Sequence, residues 1–145
     1  MVTARNLSPD DAERLTALYD DYKWWADRTV EEVQRALAET PVVVGVETEG
    51  ELVAAARVLT DHTYYAKIYD VIVAADRRGE GHGRRLLEAV RNHPELRAVD
   101  GLALSCREGL VPFYESVGFE RFDREMSVPE GGRERLVRMT YERAE

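Results

Sequence analysis

Apolar positions along this chain change their period several times, and each change marks an element. Val2 to Leu7 alternates weakly and predicts a first strand. Ser8 then caps a helix, with Pro9 at its first position and Asp10 and Asp11 in its first turn. Leu15, Leu18, Tyr19 and Tyr22 give that helix a buried face until Lys23-Trp24-Trp25-Ala26-Asp27 interrupts it. Thr29, with Glu32 three residues on, forms a capping box for a second helix. Val30, Val33, Ala36 and Leu37 are its apolar stripe, and Glu39-Thr40-Pro41 stops it.

From Val42 the pattern turns to β. Val42–Val46 and Leu52–Leu59 read as strands around a Glu49-Gly50 hairpin turn, and Tyr64–Val73 as the next strand. Leu86, Leu87 and Val90 then recur at helical spacing, and Asn92-His93-Pro94 ends that helix. Leu102–Ser105 predicts a short strand, and Pro112–Val117 a short helix closed by Gly118. Phe119–Met126 and Leu136–Tyr141 predict two strands around Pro129-Glu130-Gly131-Gly132. The order is that of a mixed α/β sheet with helices on both faces, and no linker or repeat divides residues 1–145.

The richest stretch joins the strand ending at Val73 to the helix that follows. Arg77-Arg78-Gly79-Glu80-Gly81-His82-Gly83 brings three glycines to a helix N-terminus, with Arg84 and Arg85 behind them. Bare backbone N–H groups and the positive end of a helix dipole suit phosphate. A P-loop needs a lysine directly after its glycines, and none follows here. A dinucleotide fingerprint needs G-x-G-x-x-G after the first strand and an acid at the end of the next strand. Here the spacing is Gly79-x-Gly81-x-Gly83 in mid-chain, and Asp100 precedes its strand. A glycine-rich turn without a ligand is the remaining reading from spacing alone.

Composition narrows the partners. A hydrophobic fraction of 44% and a charged fraction of 33% describe a globular chain. No apolar run approaches the roughly 20 residues that span a bilayer, and no signal-like segment opens the chain, so the expected compartment is the cytoplasm. One cysteine, Cys106, excludes an internal disulfide and a cysteine zinc site, and no metal is expected. The net charge of −8 argues against nucleic acid and anionic membrane as partners. Residues 1–70 hold 14 acids against 7 bases, so the arginine pairs around the turn stand out locally. Only Lys23 and Lys67 are lysines, a bias that a salt-adapted or a GC-rich source explains equally well.

Arg78-Gly79-Glu80-Gly81-His82-Gly83 matches R-x-x-G-x-G and resembles the acetyl-CoA pyrophosphate loop of the GNAT superfamily of N-acyltransferases. Phe113-Tyr114-Glu115-Ser116-Val117-Gly118-Phe119 is similar to that family's second signature, F/L-Y-x-x-x-G-F. The element order agrees over nearly the whole chain. Ala56–His62 followed by Tyr69–Val73 resembles small-molecule members, including the plant arylalkylamine type. Cys106-Arg107-Glu108 through Val111–Tyr114 resembles glucosamine-phosphate acetyltransferases, so the two stretches point to different acceptors. The sequence also departs from the family. Arg107 stands where many members carry a CoA-contacting asparagine, and Leu110 where a small residue is common.

The resemblance implies a single GNAT domain with a mostly antiparallel central sheet, acetyl-CoA as cosubstrate, and direct transfer to a primary amine. Backbone amides from Arg78 to Arg84 (through Gly79, Glu80, Gly81, His82 and Gly83) would hold the pyrophosphate. The backbone of Val71, Ile72 and Val73 would pair with pantetheine like an added strand. Tyr114 matches the tyrosine beside the CoA sulfur, a general acid for the thiolate; ring packing is its other reading. A backbone N–H near Val73 would meet the oxyanion. Asp70, an acid inside an apolar strand, is the candidate general base, or else pairs with Lys67 or an arginine. Trp24 and Trp25 lie where the family's first helix connection borders the acceptor pocket, and one ring is a candidate lining residue. His62, His93 and Cys106 read as surface, helix-end and packing residues. The expected acceptor is a small molecule; acetylation of a protein lysine or N-terminus, and non-catalytic CoA binding, are the alternatives. Homodimers are common in the family, and no feature here decides that state.

Overall fold

The computed structural model describes residues 1–143, in two compact units, residues 1–107 and the chain from Glu108 on. The first unit is built on a four-stranded antiparallel sheet in the order β1 (Val2–Asn6), β2 (Val42–Thr48), β3 (Glu51–Thr60) and β4 (Ala66–Val73). Glu49 and Gly50 both take positive φ in the tight turn between β2 and β3, as a two-residue hairpin requires.

Helix α1 (Ala12–Tyr19) follows a single 3-10 turn, Pro9–Asp11, which takes up the first turn expected of the helix. Helix α2 (Val30–Glu39) opens with the reciprocal Thr29–Glu32 box, Glu32 N to Thr29 Oγ1 at 3.1 Å and Thr29 N to Glu32 Oε1 at 2.9 Å. Both helices lie on one face of the sheet. Leu15, Leu18, Tyr19, Val33 and Leu37 there meet Val43, Leu52, Ala55 and Ile72 in one apolar cluster. Gly45 lies on that face too, where a Cβ would come within 2.7 Å of Leu7 and 2.8 Å of Leu52. Helix α3 (His82–Arg91) covers the opposite face, burying Leu86, Leu87 and Val90 completely. Alternation along β2 and β3 sends Val42, Val46 and Val58 to that side.

Two of the sheet's irregularities position the site. Between β3 and β4 the register runs from Arg57 opposite Tyr69 to Ala55 opposite Ile72, so Asp70 and Val71 together oppose Ala56. This is a β-bulge, and Asp70 sits in it at φ +56°, a conformation that aspartate tolerates better than most side chains. The extra residue reverses the alternation: Ile72 joins the α1–α2 face, while Ile68, opposite Val58, goes to the other. The expected strand Leu102–Ser105 reduces to one parallel bridge, Lys67 to Ala103, with Ile68 N donating to Ala103 O at 2.8 Å. Past that bridge, no strand among the described residues pairs with the outer edge of β4 from Tyr69 to Val73.

In the second unit, helix α4 (Val111–Ser116) is followed by a hairpin of β5 (Glu125–Ser127) and β6 (Arg133–Arg135). Both strands are shorter than expected, and the second is shifted. The hairpin ladder closes around Gly131 and Gly132, both at positive φ, before Leu136 is reached. Leu136 N still donates to Arg124 O at 2.8 Å, but 136–141 forms no strand. No helix among the described residues is long and apolar enough to cross a membrane.

Candidate active site

Tyr22, one turn past α1, connects the parts of this region. Its hydroxyl donates to Val73 O at 2.6 Å and accepts from Arg78 Nε at 3.1 Å and Nη2 at 2.5 Å. The Arg78 guanidinium also lies 5.1 Å from the Tyr22 ring centroid. Its neighbour Asp21 accepts from Ala75 N at 3.0 Å. Two consecutive residues thus pin both ends of the segment that carries the chain from β4 into the glycine turn. The sequence marked Tyr22 only as part of an apolar helix face, and nothing in its spacing marks the hydroxyl.

The turn itself is shaped by Gly79 and Gly81, at φ +80° and +86°. A Cβ on either would meet nothing within 4 Å, so backbone conformation, not crowding, selects glycine there. Gly81 is the N-cap of α3, and as glycine it has no side chain to cap the first-turn amides. His82 is buried and its Nε2 lies 3.0 Å from Glu80 Oε1, which also receives Arg77 Nε at 3.0 Å. Arg77 and His82 hold the Glu80 carboxyl below its ordinary range. Arg77 reaches Glu51 as well, at 3.1 Å, so this arginine braces the turn from outside.

The bulge presents Asp70 to two arginines. Arg28 bonds it through Nη1 at 2.9 Å and Nη2 at 3.4 Å, and Arg57 Nε at 2.9 Å. Lys67 is not a partner; its ammonium lies over the Tyr69 ring instead. Burial pushes the Asp70 carboxyl up, and the Arg28 and Arg57 bonds outweigh it, leaving the pKa lowered. Arg28 stacks on Tyr19 at 4.7 Å and on Trp25 at 5.5 Å, and Arg57 Nη1 donates to Thr40 Oγ1 at 2.7 Å. Burial and the Asp70 charge raise the Tyr19 phenol to about 12, keeping it neutral.

Beside this cluster is a pocket of about 360 Å³, lined by Leu15, Tyr19, Asp27, Arg28, Glu32, Val33, Ala36 and Arg57. Neither tryptophan lines it. Trp25 is half-buried against Tyr19 and the core, and Trp24 is exposed beside Tyr22. Arg28 and Arg57 are the residues that sequence reasoning missed; each reads there as one more surface arginine. Among the described residues no group of three His, Cys, Asp or Glu side chains is placed to hold a metal ion.

Tyr114 lies in the second unit, buried, its ring 5.1 Å from Phe113 and 6.0 Å from Phe119. The Tyr114-x-x-x-Gly118-Phe119 spacing has a physical origin. Gly118, at φ +101°, ends α4, with Phe119 N donating to Tyr114 O at 3.0 Å and Gly118 N to Glu115 O at 3.1 Å. That is the paired bond pattern of a glycine-terminated helix, and the contact between the Tyr114 and Phe119 rings completes it.

A family model described as an acetyltransferase (GNAT) domain matches residues 9–142. "Probable acetyltransferase TAP2" of Glycine max is 30% identical over 121 residues, covering 76% of this chain and 48% of its own. The chain spans about half or less of the length of the first curated relatives it matches. The solved structure of an acetyltransferase assigned to the GNAT family from Xanthomonas campestris pv. campestris is 29% identical. It covers 83% of this chain and 85% of its own, at a TM-score of 0.69. Glucosamine-6-phosphate N-acetyltransferase of Arabidopsis thaliana shares the fold at 22% identity and a TM-score of 0.71, covering 88% of this chain and 97% of its own.

Proposed function

Because the chain belongs to the GNAT family of acetyltransferases, we propose that it moves acetyl from acetyl-CoA to the primary amine of a small molecule, by direct attack in a ternary complex. The observation that carries the acceptor side is the pocket of about 360 Å³ beside Asp70, a volume in the range of small-molecule sites.

The residues of the glycine turn fit a pyrophosphate. Gly79 and Gly81 leave open space above the turn, and α3 begins without a side-chain cap. Backbone amides from Gly79 to Arg84 would take phosphate oxygens, with Arg78 and Arg84 adding charge. The open edge of β4 would pair with the pantetheine arm through Val71, Ile72 and Val73, while Tyr22 holds the Val73 carbonyl in place.

The neutral amine attacks the thioester carbonyl, a backbone N–H near Val73 meets the developing oxyanion, and the C–S bond then breaks. Tyr114 protonates the departing thiolate, a role supported by the family signature it stands in. Asp70 takes a different part from the base expected of it. A carboxylate held at low proton affinity by two guanidinium groups is a poor acceptor for an ammonium proton. It acts as a positioning residue for Arg28 and Arg57, and the amine sheds its proton to solvent.

Thiol release from acetyl-CoA, followed with a panel of small amines and a lysine peptide, tests this reading. Tyr114→Phe is expected to lower kcat by about 10²-fold or more. Unchanged turnover would remove Tyr114 from the chemistry, and preference for the peptide would move the acceptor class. Absence of CoA binding by calorimetry would sink the cofactor assignment.

A further inference from the structure

The pocket's charges do not balance from floor to mouth. At the floor, Arg28 and Arg57 share the single carboxylate of Asp70; their side chains are 31%, 19% and 11% exposed, in that order. One positive charge there has no counter-ion among the described residues. Donors are left over as well. Arg57 commits Nε to Asp70 and one Nη1 proton to Thr40, Arg28 commits one proton on each Nη to Asp70, and both meet the Tyr19 hydroxyl, so each guanidinium keeps two of its five N–H groups. A half-buried surplus cation with unused fork donors is costly until an anion meets it. The other lining acids stand at the exposed mouth. Glu32 is tied by Oε1 to the α2 cap, and the Asp27 side chain makes no hydrogen bond or ion pair among the described residues. Leu15, Val33 and Ala36 make the wall between.

From this arrangement we infer that the acceptor carries a carboxylate besides its reactive amine, an amino-acid-type zwitterion whose carboxylate docks on Arg57 and Arg28. This rests on the small-molecule acetyltransferase reading and names its substrate class. A planar carboxylate matches the guanidinium fork. The two acids at the mouth favour one negative charge over two, which selects an amino acid against a sugar phosphate, and they attract the ammonium end. The apolar wall fits an aliphatic side chain.

L-Leucine, L-leucinamide, 3-methylbutylamine and glucosamine 6-phosphate are compared as acceptors by thiol release. The expected result is a kcat/KM for leucine about ten- to a hundredfold above those of the amide and the amine. Arg57→Gln is expected to collapse the acid-to-amide ratio, a readout internal to each preparation and indifferent to its folded fraction. Equal rates for leucine and leucinamide, or preference for glucosamine 6-phosphate, would overturn the inference while leaving acetyl transfer intact. Should none of these be acetylated although CoA binds, calorimetry on the wild type with leucine and with 4-methylpentanoate decides: binding of both supports the anion site, and binding of neither ends it.

Discussion

Two acids in the first unit are each held by two arginines, Asp11 at the corner between β1 and α1, and Asp70 in the β4 bulge. Asp11 accepts from Arg5 Nη2 at 2.7 Å, Arg14 Nη2 at 2.5 Å and Ser8 N at 2.8 Å. Arg5 also reaches Glu47 at 2.8 Å, and Arg14 the same carboxylate at 3.8 Å. Two cations therefore meet two anions, and none of the four lines the pocket beside Asp70. At Asp70 two cations meet one anion, and both cations line a cavity. Similar bonds serve a closed corner in one case and an open site in the other. The difference is the missing second carboxylate, which a substrate can bring.

Asp70→Asn is the hardest test of that contrast. Asparagine accepts the left-handed backbone, so the bulge is kept while two half-buried guanidinium groups lose the carboxylate they share. Chemical denaturation is expected to show a loss of about 3–5 kcal/mol, and steady-state kinetics a large fall in kcat/KM for the acceptor. Asp11→Asn comes second. It should cost about 2 kcal/mol, following from a pKa lowered to about 2, first by the Arg5 bond and then by Ser8 and Arg14 against burial. Its kcat/KM should stay within about twofold of wild type.

The sign of the pH effect follows from that lowering. A carboxyl whose folded pKa lies below its unfolded value contributes fully above about pH 4, and its contribution fades as pH falls toward about 2. Thermal melts should therefore show the wild-type advantage over Asp11→Asn shrinking across that window. The smallest effect is expected three residues past Asp70. Tyr22→Phe removes the hydroxyl that joins Val73 to Arg78, and should raise the KM for acetyl-CoA about five- to tenfold. An unchanged KM would separate the Tyr22 link from cofactor binding.

Sequence patterns revealed the elements better than the ties between them. The Thr29–Glu32 box, the Glu49-Gly50 turn and the glycine conformations at 79, 81 and 118 are local, so short stretches of chain encode them completely. Strands that depend on a distant partner are not encoded this way. Leu102–Ser105 has strand composition yet keeps one bridge, and Leu136–Tyr141 loses its ladder to the turn at Gly131-Gly132. Within the site, the turn and Asp70 stood out, one by its glycines and the other by being an acid in an apolar run. Arg28, Arg57 and Tyr22 did not. Their roles arise from separations of 42, 13 and 51 residues, which no single-sequence spacing rule reaches.

The bulge at Asp70-Val71 also acts as a phase shift in β4, putting Ile68 and Ile72 on opposite faces although they are an even four positions apart. Deleting either bulge residue would restore a regular ladder and turn one end of the strand inside out. Either Ile68 would leave the α3 face, or Val73 would lose its place under Tyr22. A library of insertions and deletions should therefore tolerate changes of length at the hairpin tips and show a narrow intolerant window between Ile68 and Val73.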